Sequence, residues 1–205
     1  MADWQRVTAN GADFEVKDFE VGTMGNMIYI VRDPDTKEGF VIDAGFEPEK
    51  IAQEAGDTRV KAILITHGHN DHHDSLDALK QRLGVPSAVG ELDQDLLKSS
   101  PDQLLVDRQE LTFGKNTIHA IHTPGHTPGS TCFTVGNLLF SGDTLFPGGP
   151  GATKFPGGDF ATIIDSIEHK LFTFPDETVV LPGHGLDTTI GTERPHLDEW
   201  IARGW

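Results

Sequence analysis

Apolar residues along this chain recur mostly with a period of two, in short runs closed by glycine, proline or asparagine, which predicts many strands and few helices. Phe14 to Val21 alternates apolar and polar positions and reads as a strand. Gly22-Thr23-Met24-Gly25 turns the chain into a second strand, Asn26 to Val31, and Asp33-Pro34-Asp35 turns it again. Gly39 to Gly45 is a third strand that ends on a carboxylate, Asp43, and a glycine. Val60 to Thr66 is a β-branched apolar run short enough to be a buried strand. Gly84 to Val89 and Val179 to Leu181 are further short strands. Two hairpins are predicted: Glu110–Phe113 with Thr117–His122 around Gly114-Lys115-Asn116, and Thr131–Val135 with Leu138–Phe140 around Gly136-Asn137.

Helical spacing is confined to a few segments. Pro48 to Glu54 starts on proline and is closed by Ala55-Gly56. A helix after Asp74 or Ser75 as N-cap places Leu76, Ala78, Leu79 and Leu83 on one face. Leu92 to Leu97 is a short helical stretch. Phe160 to Leu171, capped by Asp159, turns Ile163, Ile164, Ile167 and Leu171 to the core, and the tail from Thr188 has room for about one helix. Strands precede helices twice over, which predicts an α/β fold of two sheets covered outside by helices rather than a parallel βαβ series. No tandem repeat, low-complexity run or long linker divides the 205 residues, so one domain over 1–205 is expected.

Charge narrows the partners. Sixteen Lys and Arg stand against 32 Asp and Glu, a formal charge of −16. Such a surface repels phosphate backbones and anionic lipids, which argues against nucleic-acid and membrane partners and for a small-molecule substrate. Association into a homo-oligomer stays compatible with this composition. One cysteine, Cys132, excludes an internal disulfide framework and sits in a strand-like run, where a small buried hydrophobe is expected rather than a nucleophile. Met1-Ala2-Asp3-Trp4 lacks the basic start and apolar core of a signal peptide, and no run approaches the ~18 apolar residues of a membrane span, so a cytoplasmic location is expected.

The candidate chemistry lies in the turns that follow the apolar strands. Thr66 runs into His67-Gly68-His69-Asn70-Asp71-His72, an H-x-H-x-D-H pattern of imidazole and carboxylate donors suited to zinc or iron. Four other turns repeat the design. His126 lies between Pro124-Gly125 and Pro128-Gly129, Asp143 follows Ser141-Gly142, His184 stands between Gly183 and Gly185, and Asp43 precedes Ala44-Gly45. Glycine and proline pin these turns and let backbone approach a crowded centre. A lone histidine in a turn is more often surface polarity than a ligand; five matched turns together make a ligand set. His73, His119, His122, His169 and His196 fall outside the pattern and are read as ordinary polar residues.

From about Asn26 to Gly185 these motifs, in this order, resemble the metallo-β-lactamase superfamily, and within it the glyoxalase II-like hydroxyacylglutathione hydrolases. The resemblance implies an αββα sandwich of two mixed sheets with metals at the sheet edges. It implies that His67, His69 and His126 hold one divalent ion, that Asp71, His72 and His184 hold a second, and that Asp143 bridges them, with Asp43 bracing the histidine loop. Seven donors are too many for one tetrahedral ion and suit two ions sharing a carboxylate. Zinc is the expected metal, with iron and manganese able to use the same donors. Two cations about 3.5–4 Å apart can hold water as hydroxide for attack on a thioester, with Asp71 orienting it.

The glycine- and proline-rich loop after Asp143 resembles the cleft-lining loop of these hydrolases, and Lys154-Phe155 matches a Lys-Phe pair that contacts substrate there; Pro156 departs from the family tyrosine. The stretch after His184 is short, which resembles members without the C-terminal helical glutathione-binding domain. The expected reaction is thus hydrolysis of thioesters such as S-2-hydroxyacylglutathione. Iron-dependent persulfide dioxygenation is the first alternative, disfavoured by Ala152-Thr153-Lys154-Phe155-Pro156 where those enzymes have Arg-x-Asp-Phe-Gln; lactone or other ester and amide hydrolysis on the same fold is the second.

Overall fold

The computed structural model describes residues 3–204; Met1, Ala2 and Trp205, the extreme ends of the terminal stretches read above, lie outside the described residues. Seven strands form the first sheet in chain order: β1 (Gln5–Ala9), β2 (Ala12–Val21), β3 (Asn26–Arg32), β4 (Glu38–Ile42), β5 (Arg59–Ile65), β6 (Ser87–Gly90) and β7 (Gln103–Leu105). The first four run antiparallel and β4 to β7 run parallel. Helix α1 (Pro48–Ala55) makes the crossover from β4 to β5. The single turn α2 (Asn70–His73) and helix α3 (Leu76–Leu83) make the one from β5 to β6.

The second sheet has the order β15-β14-β11-β10-β9-β8, from β8 (Glu110–Phe113), β9 (Asn116–His122), β10 (Thr131–Val135), β11 (Leu138–Gly142), β14 (Val179–Pro182) and β15 (Thr188–Thr189). It is antiparallel except for the β11–β14 pair. A two-stranded ribbon, β12 (Leu145–Phe146) with β13 (Gly149–Pro150), stands apart. Helix α4 (Phe160–His169), the turn α5 (Ile190–Glu193) and helix α6 (Leu197–Arg203) complete the chain.

The period-two alternation explains the layering. Along β3, Tyr29 and Val31 face the second sheet while Ile28 and Ile30 face helices; along β5, Leu64 faces in while Ile63 and Ile65 face out. The inward set meets Phe113, Ile118, Phe133 and Phe140 of the second sheet in a buried core between the sheets. The outward set of the first sheet packs on Ile51 and Ala55 of α1 and Leu76 and Leu79 of α3. The outward set of the second, Cys132, Leu139 and Val180, packs on Ile163, Ile164 and Ile167 of α4 and Trp200 of α6. Two mixed sheets face to face with helices outside make the expected αββα sandwich. Among the described residues no helix is long and apolar enough to cross a membrane.

Several boundaries differ from the sequence reading, each for a local reason. The third strand stops at Ile42 because Asp43 takes a left-handed conformation, φ 65°. The strand expected from Gly84 begins at Ser87, since Gly84 caps α3 with φ 68°. Helix α4 ends at His169, and Leu171 reaches the core from a separate 3-10 turn, Leu171–Thr173. Leu92–Leu97 is a 3-10 turn over Glu91–Leu96. Ala78 is exposed rather than on the core face of α3, where Leu76 and Leu79 alone are fully covered. Ser75 precedes α3, but its hydroxyl donates to Ala44 O (2.9 Å) instead of capping the helix.

Candidate metal centre

Parallel strands send their carboxyl ends to one edge, and the chemistry-bearing turns all sit there. Asp43 follows β4, the histidine loop follows β5, His126 follows β9, Asp143 follows β11 and His184 follows β14. Backbone bonds join the two sheets at this edge: Thr131 N donates to Thr66 O (2.8 Å), and Met27 N to Gly183 O (2.9 Å). The seven side chains read as candidate ligands are brought together. His67, His72 and His126 are buried, while His69, Asp71, Asp143 and His184 are partly open to the cleft.

Three overlapping groups have donor atoms within 4.8 Å of one another: His67, His69 and His126; His67, His72 and Asp143; and Asp71, His72 and His184. Asp143 lies between the outer two. Its Oδ2 is 3.6 Å from His126 Nε2 and 3.7 Å from His184 Nε2, and its Oδ1 is 3.5 Å from His72 Nε2. Gly183 makes room for this, because a Cβ at that position would collide with Asp143 Oδ1 and the His72 ring.

Outside the cluster, the second ring nitrogens are held. His67 Nδ1 faces Thr66 Oγ1 (3.1 Å), His72 Nδ1 faces Asp43 Oδ2 (2.8 Å), His126 Nδ1 faces Ala152 O (2.7 Å) and His184 Nδ1 faces Met24 O (3.0 Å). Each acceptor fixes a proton on the outer nitrogen and turns Nε2 toward the centre, the orientation that supports metal ligation once any proton on Nε2 is displaced. Asp43 also accepts from Thr66 N (2.8 Å) and Thr66 Oγ1 (2.9 Å), which ties the end of β4 to the residue before the histidine loop.

The inward atoms test whether cations fit. His67 Nε2 and Asp143 Oδ1 are buried without a hydrogen-bond partner, although buried polar atoms are nearly always satisfied. Inward nitrogens meet in pairs, His69 Nδ1 with His126 Nε2 at 2.8 Å and His72 Nε2 with His184 Nε2 at 3.2 Å, spacings that a shared ion accounts for better than a proton. This donor set is suited to divalent metal ions. His73 lies apart: its Nε2 meets Gly68 O at 3.2 Å, away from the cluster.

Protonation divides the centre into two halves. Burial, reinforced by neighbouring histidines, pushes the pKa of His67 well below its usual value; burial also lowers His69 and His126. Burial opposes charge on His72 too, yet Asp143, Asp43 and Asp71 raise its pKa to about 9. On His184 burial is likewise outweighed, by Asp71 and Asp143, and its pKa rises. Asp71 is held well below the usual carboxylate range: burial opposes this, but its hydrogen bond to His184, the charge of His72 and a bond from Asn26 prevail.

The sign of the resulting pH dependence follows. Neutral His67, His69 and His126 have no proton to lose at pH 7, so metal uptake there should release none. His72 keeps its proton up to about pH 9. Uptake by Asp71, His72 and His184 must therefore displace a proton and should tighten as pH rises toward 9. Zinc titrations of the metal-free protein in buffers of different ionisation enthalpy should resolve one proton-releasing site and one silent site. Equal release at both would contradict this division.

Two supporting residues had no signal in the sequence. Asn26, the first residue of β3, donates through Nδ2 to Asp71 Oδ2 (3.0 Å) and Asp71 O (3.1 Å), and Thr66 links His67 to Asp43. Beside the centre lies a cleft of about 350 Å3, lined by His126, Asp143, Phe146, Phe155 and the backbone of Gly148 to Gly151. Arg203 of α6 also lines it and is the cation that does so. Phe155 sets its ring edge against His69 (5.3 Å). Lys154 is exposed and sits over the Phe155 ring (5.6 Å) rather than in the cleft lining. A larger hollow of about 570 Å3 beside Arg108, His119 and Lys170 contains none of the three donor groups found among the described residues, so size alone does not mark the chemistry.

Residues 21–184 match the family model described as the metallo-beta-lactamase superfamily. The chain is 39% identical over 182 residues to the hydroxyacylglutathione hydrolase GloC of Haemophilus influenzae, covering 78% of this chain and 86% of that one. Its fold superposes on the BLEG-1 B3 metallo-beta-lactamase with a TM-score of 0.82 at 30% identity, covering 88% of this chain and 97% of the other. ETHE1 from Myxococcus xanthus gives 0.80 at 28% identity, covering 89% and 82%. With the sandwich, the strand-end donor turns and these likenesses together, the chain belongs to the metallo-beta-lactamase superfamily, in its glyoxalase II-like group.

Proposed function

We propose that this protein is a dinuclear metal-dependent thioesterase acting on S-2-hydroxyacylglutathione or a close analogue. The observation that carries the reading is the Asp143 carboxylate set between a trihistidine group and an Asp-His-His group, the disposition of a ligand shared by two ions. His67, His69 and His126 would hold one ion, and Asp71, His72 and His184 the other. Zinc suits this nitrogen-rich set, and iron or manganese could use it. When bound, such a pair supplies Lewis acidity, acidifying water and polarising a carbonyl.

The chain's own residues do the rest. Asp71 Oδ2, fixed by Asn26 and 3.2 Å from His184 Nε2, stays ionised and can accept a hydrogen bond from the attacking water, so orienting it. Phe155 walls the cleft and limits water beside His69. A thiolate leaving group is a weak base and needs no acid catalyst, which suits a centre whose buried histidines sit on the metal side. Arg203 supplies positive charge to the cleft of a chain with net charge −16, which suits a substrate ending in carboxylates, as glutathione does. The likeness to GloC supports the same class. Arg203→Ala should raise KM for anionic thioesters about tenfold, the worth of one charge-assisted hydrogen bond, with kcat nearly unchanged. Neutral thioesters should not respond.

The second reading, iron-dependent persulfide oxidation, draws on the likeness to ETHE1, and lactam or lactone hydrolysis draws on the likeness to BLEG-1. Metal analysis of the purified protein, followed by a panel of thioesters, lactones, a β-lactam and glutathione persulfide, separates them. Metal-dependent thioester hydrolysis without oxygen uptake is expected. One iron per chain and oxygen consumption with the persulfide would replace the thioesterase reading.

A further inference from the structure

Asp93 is fully buried, with 0% of its surface exposed, in the 3-10 turn that follows β6. Among the described residues no cation pairs with it. Three donors meet its two oxygens instead. Gly68 N and Thr127 Oγ1 donate to Oδ2 (2.7 and 2.6 Å), and Gly129 N donates to Oδ1 (2.7 Å). These donors come from two separate ligand turns. Gly68 stands between His67 and His69, Thr127 is bonded to His126, and Gly129 closes the His126 turn. The contact is tight: a Cβ on Gly129 would overlap the Asp93 backbone and carboxyl.

A buried carboxylate is a poor device for stability alone, because desolvation offsets most of what its bonds return. Its value here is geometric. Every hydrogen bond it accepts fixes either the loop of His67 and His69 or the turn of His126. Among the described residues, the backbone bond that otherwise ties those two segments is the one from Thr131 N to Thr66 O. We propose that Asp93 is a positioning residue that sets the spacing of His126 against His67 and His69, and through it the affinity of that trihistidine group for its ion. The inference rests on the reading that these three histidines hold a metal.

The test is zinc titration of metal-free wild-type, Asp93→Asn and Asp93→Ala proteins, with hydrogen exchange at Gly68 and Gly129. In the asparagine variant an NH2 group must face one of the two backbone N–H donors, so one tie is lost with little change of shape; alanine loses all three. Affinity of the trihistidine site should fall at least about tenfold in Asp93→Asn and further in Asp93→Ala, as for other residues that orient ligands. Exchange at Gly68 and Gly129 should quicken in the same order, and the site of Asp71, His72 and His184 should hold its affinity within about threefold. Should alanine fail to fold, the asparagine variant decides alone. Unchanged affinity in Asp93→Asn, or equal weakening of both sites in step with melting temperature, would overturn the proposal. A wild-type protein that takes up no zinc at His67, His69 and His126 would instead overturn the reading beneath it.

Discussion

Asp143→Ala should remove the metal pair and leave turnover at least about 10^3-fold below wild type. Supporting residues around metal sites typically cost 10–100-fold. Asp143 is placed to serve both donor groups, with one oxygen toward His72 and the other between His126 and His184, so its loss should exceed that range. Stability separates this from a folding defect. Without metal, Asp143 carries an unmet buried oxygen but also faces the charge it favours on His72, so its removal should lower the melting temperature of the metal-free protein only modestly. The stabilisation gained on adding zinc should shrink instead, because a ligand stabilises the folded state only as far as it binds it. Metal content, thioester turnover and paired melting curves with and without zinc check this. A variant that keeps two tight ions and full rate would show that Asp143 bridges nothing.

The candidate ligands were legible because each one follows an apolar strand in a turn marked by glycine or proline, and strand ends in a sandwich with parallel pairs collect at one edge. The layering was legible for a related reason: alternation along β3 and β5 shows which residues face the other sheet and which face helices. Elements without such periodicity were not. Strand β1 is a largely exposed edge strand, β7 has three residues, the ribbon β12–β13 has two per strand, and α2 is a single turn. Asn26, Thr66, Asp93 and Arg203 were invisible for a different reason. Nothing in their local sequence distinguishes them, and their roles come from partners distant along the chain in most cases, as with Asn26 and Asp71 (45 apart). Lys154 and Arg203 show the contrast: a motif match marks Lys154, which lies over the Phe155 ring, whereas Arg203, which no motif marks, lines the cleft beside Asp143.

Asp43→Asn should cost about 10–100-fold in metal affinity, and the loss should fall on the Asp71-His72-His184 group. In the native protein Asp43 Oδ2 accepts from His72 Nδ1, which turns Nε2 inward, while Oδ1 accepts from Thr66 N. The amide oxygen of the asparagine must stay toward Thr66 N, a donor that cannot turn away. Its NH2 group then faces His72 Nδ1, which has to become an acceptor, so the ring proton moves to Nε2, where the metal should bind. Asparagine tolerates the φ of 65° at this position as aspartate does, so the variant changes hydrogen bonding without adding backbone strain. Asp43→Ala is the harsher control: it removes the acceptor of three buried donors, Thr66 N, Thr66 Oγ1 and His72 Nδ1, each costing about 1–3 kcal/mol if left unpaired, and forces an alanine into the left-handed region. Removing one of the three carboxylates that hold the His72 pKa up to about 9 should also lower that value in the metal-free protein. Imidazole NMR against pH, read beside zinc affinity, tests both effects at once. Native affinity at the proton-releasing site together with an unshifted His72 titration would mean that Asp43 holds the loop without governing which nitrogen of His72 faces the metal.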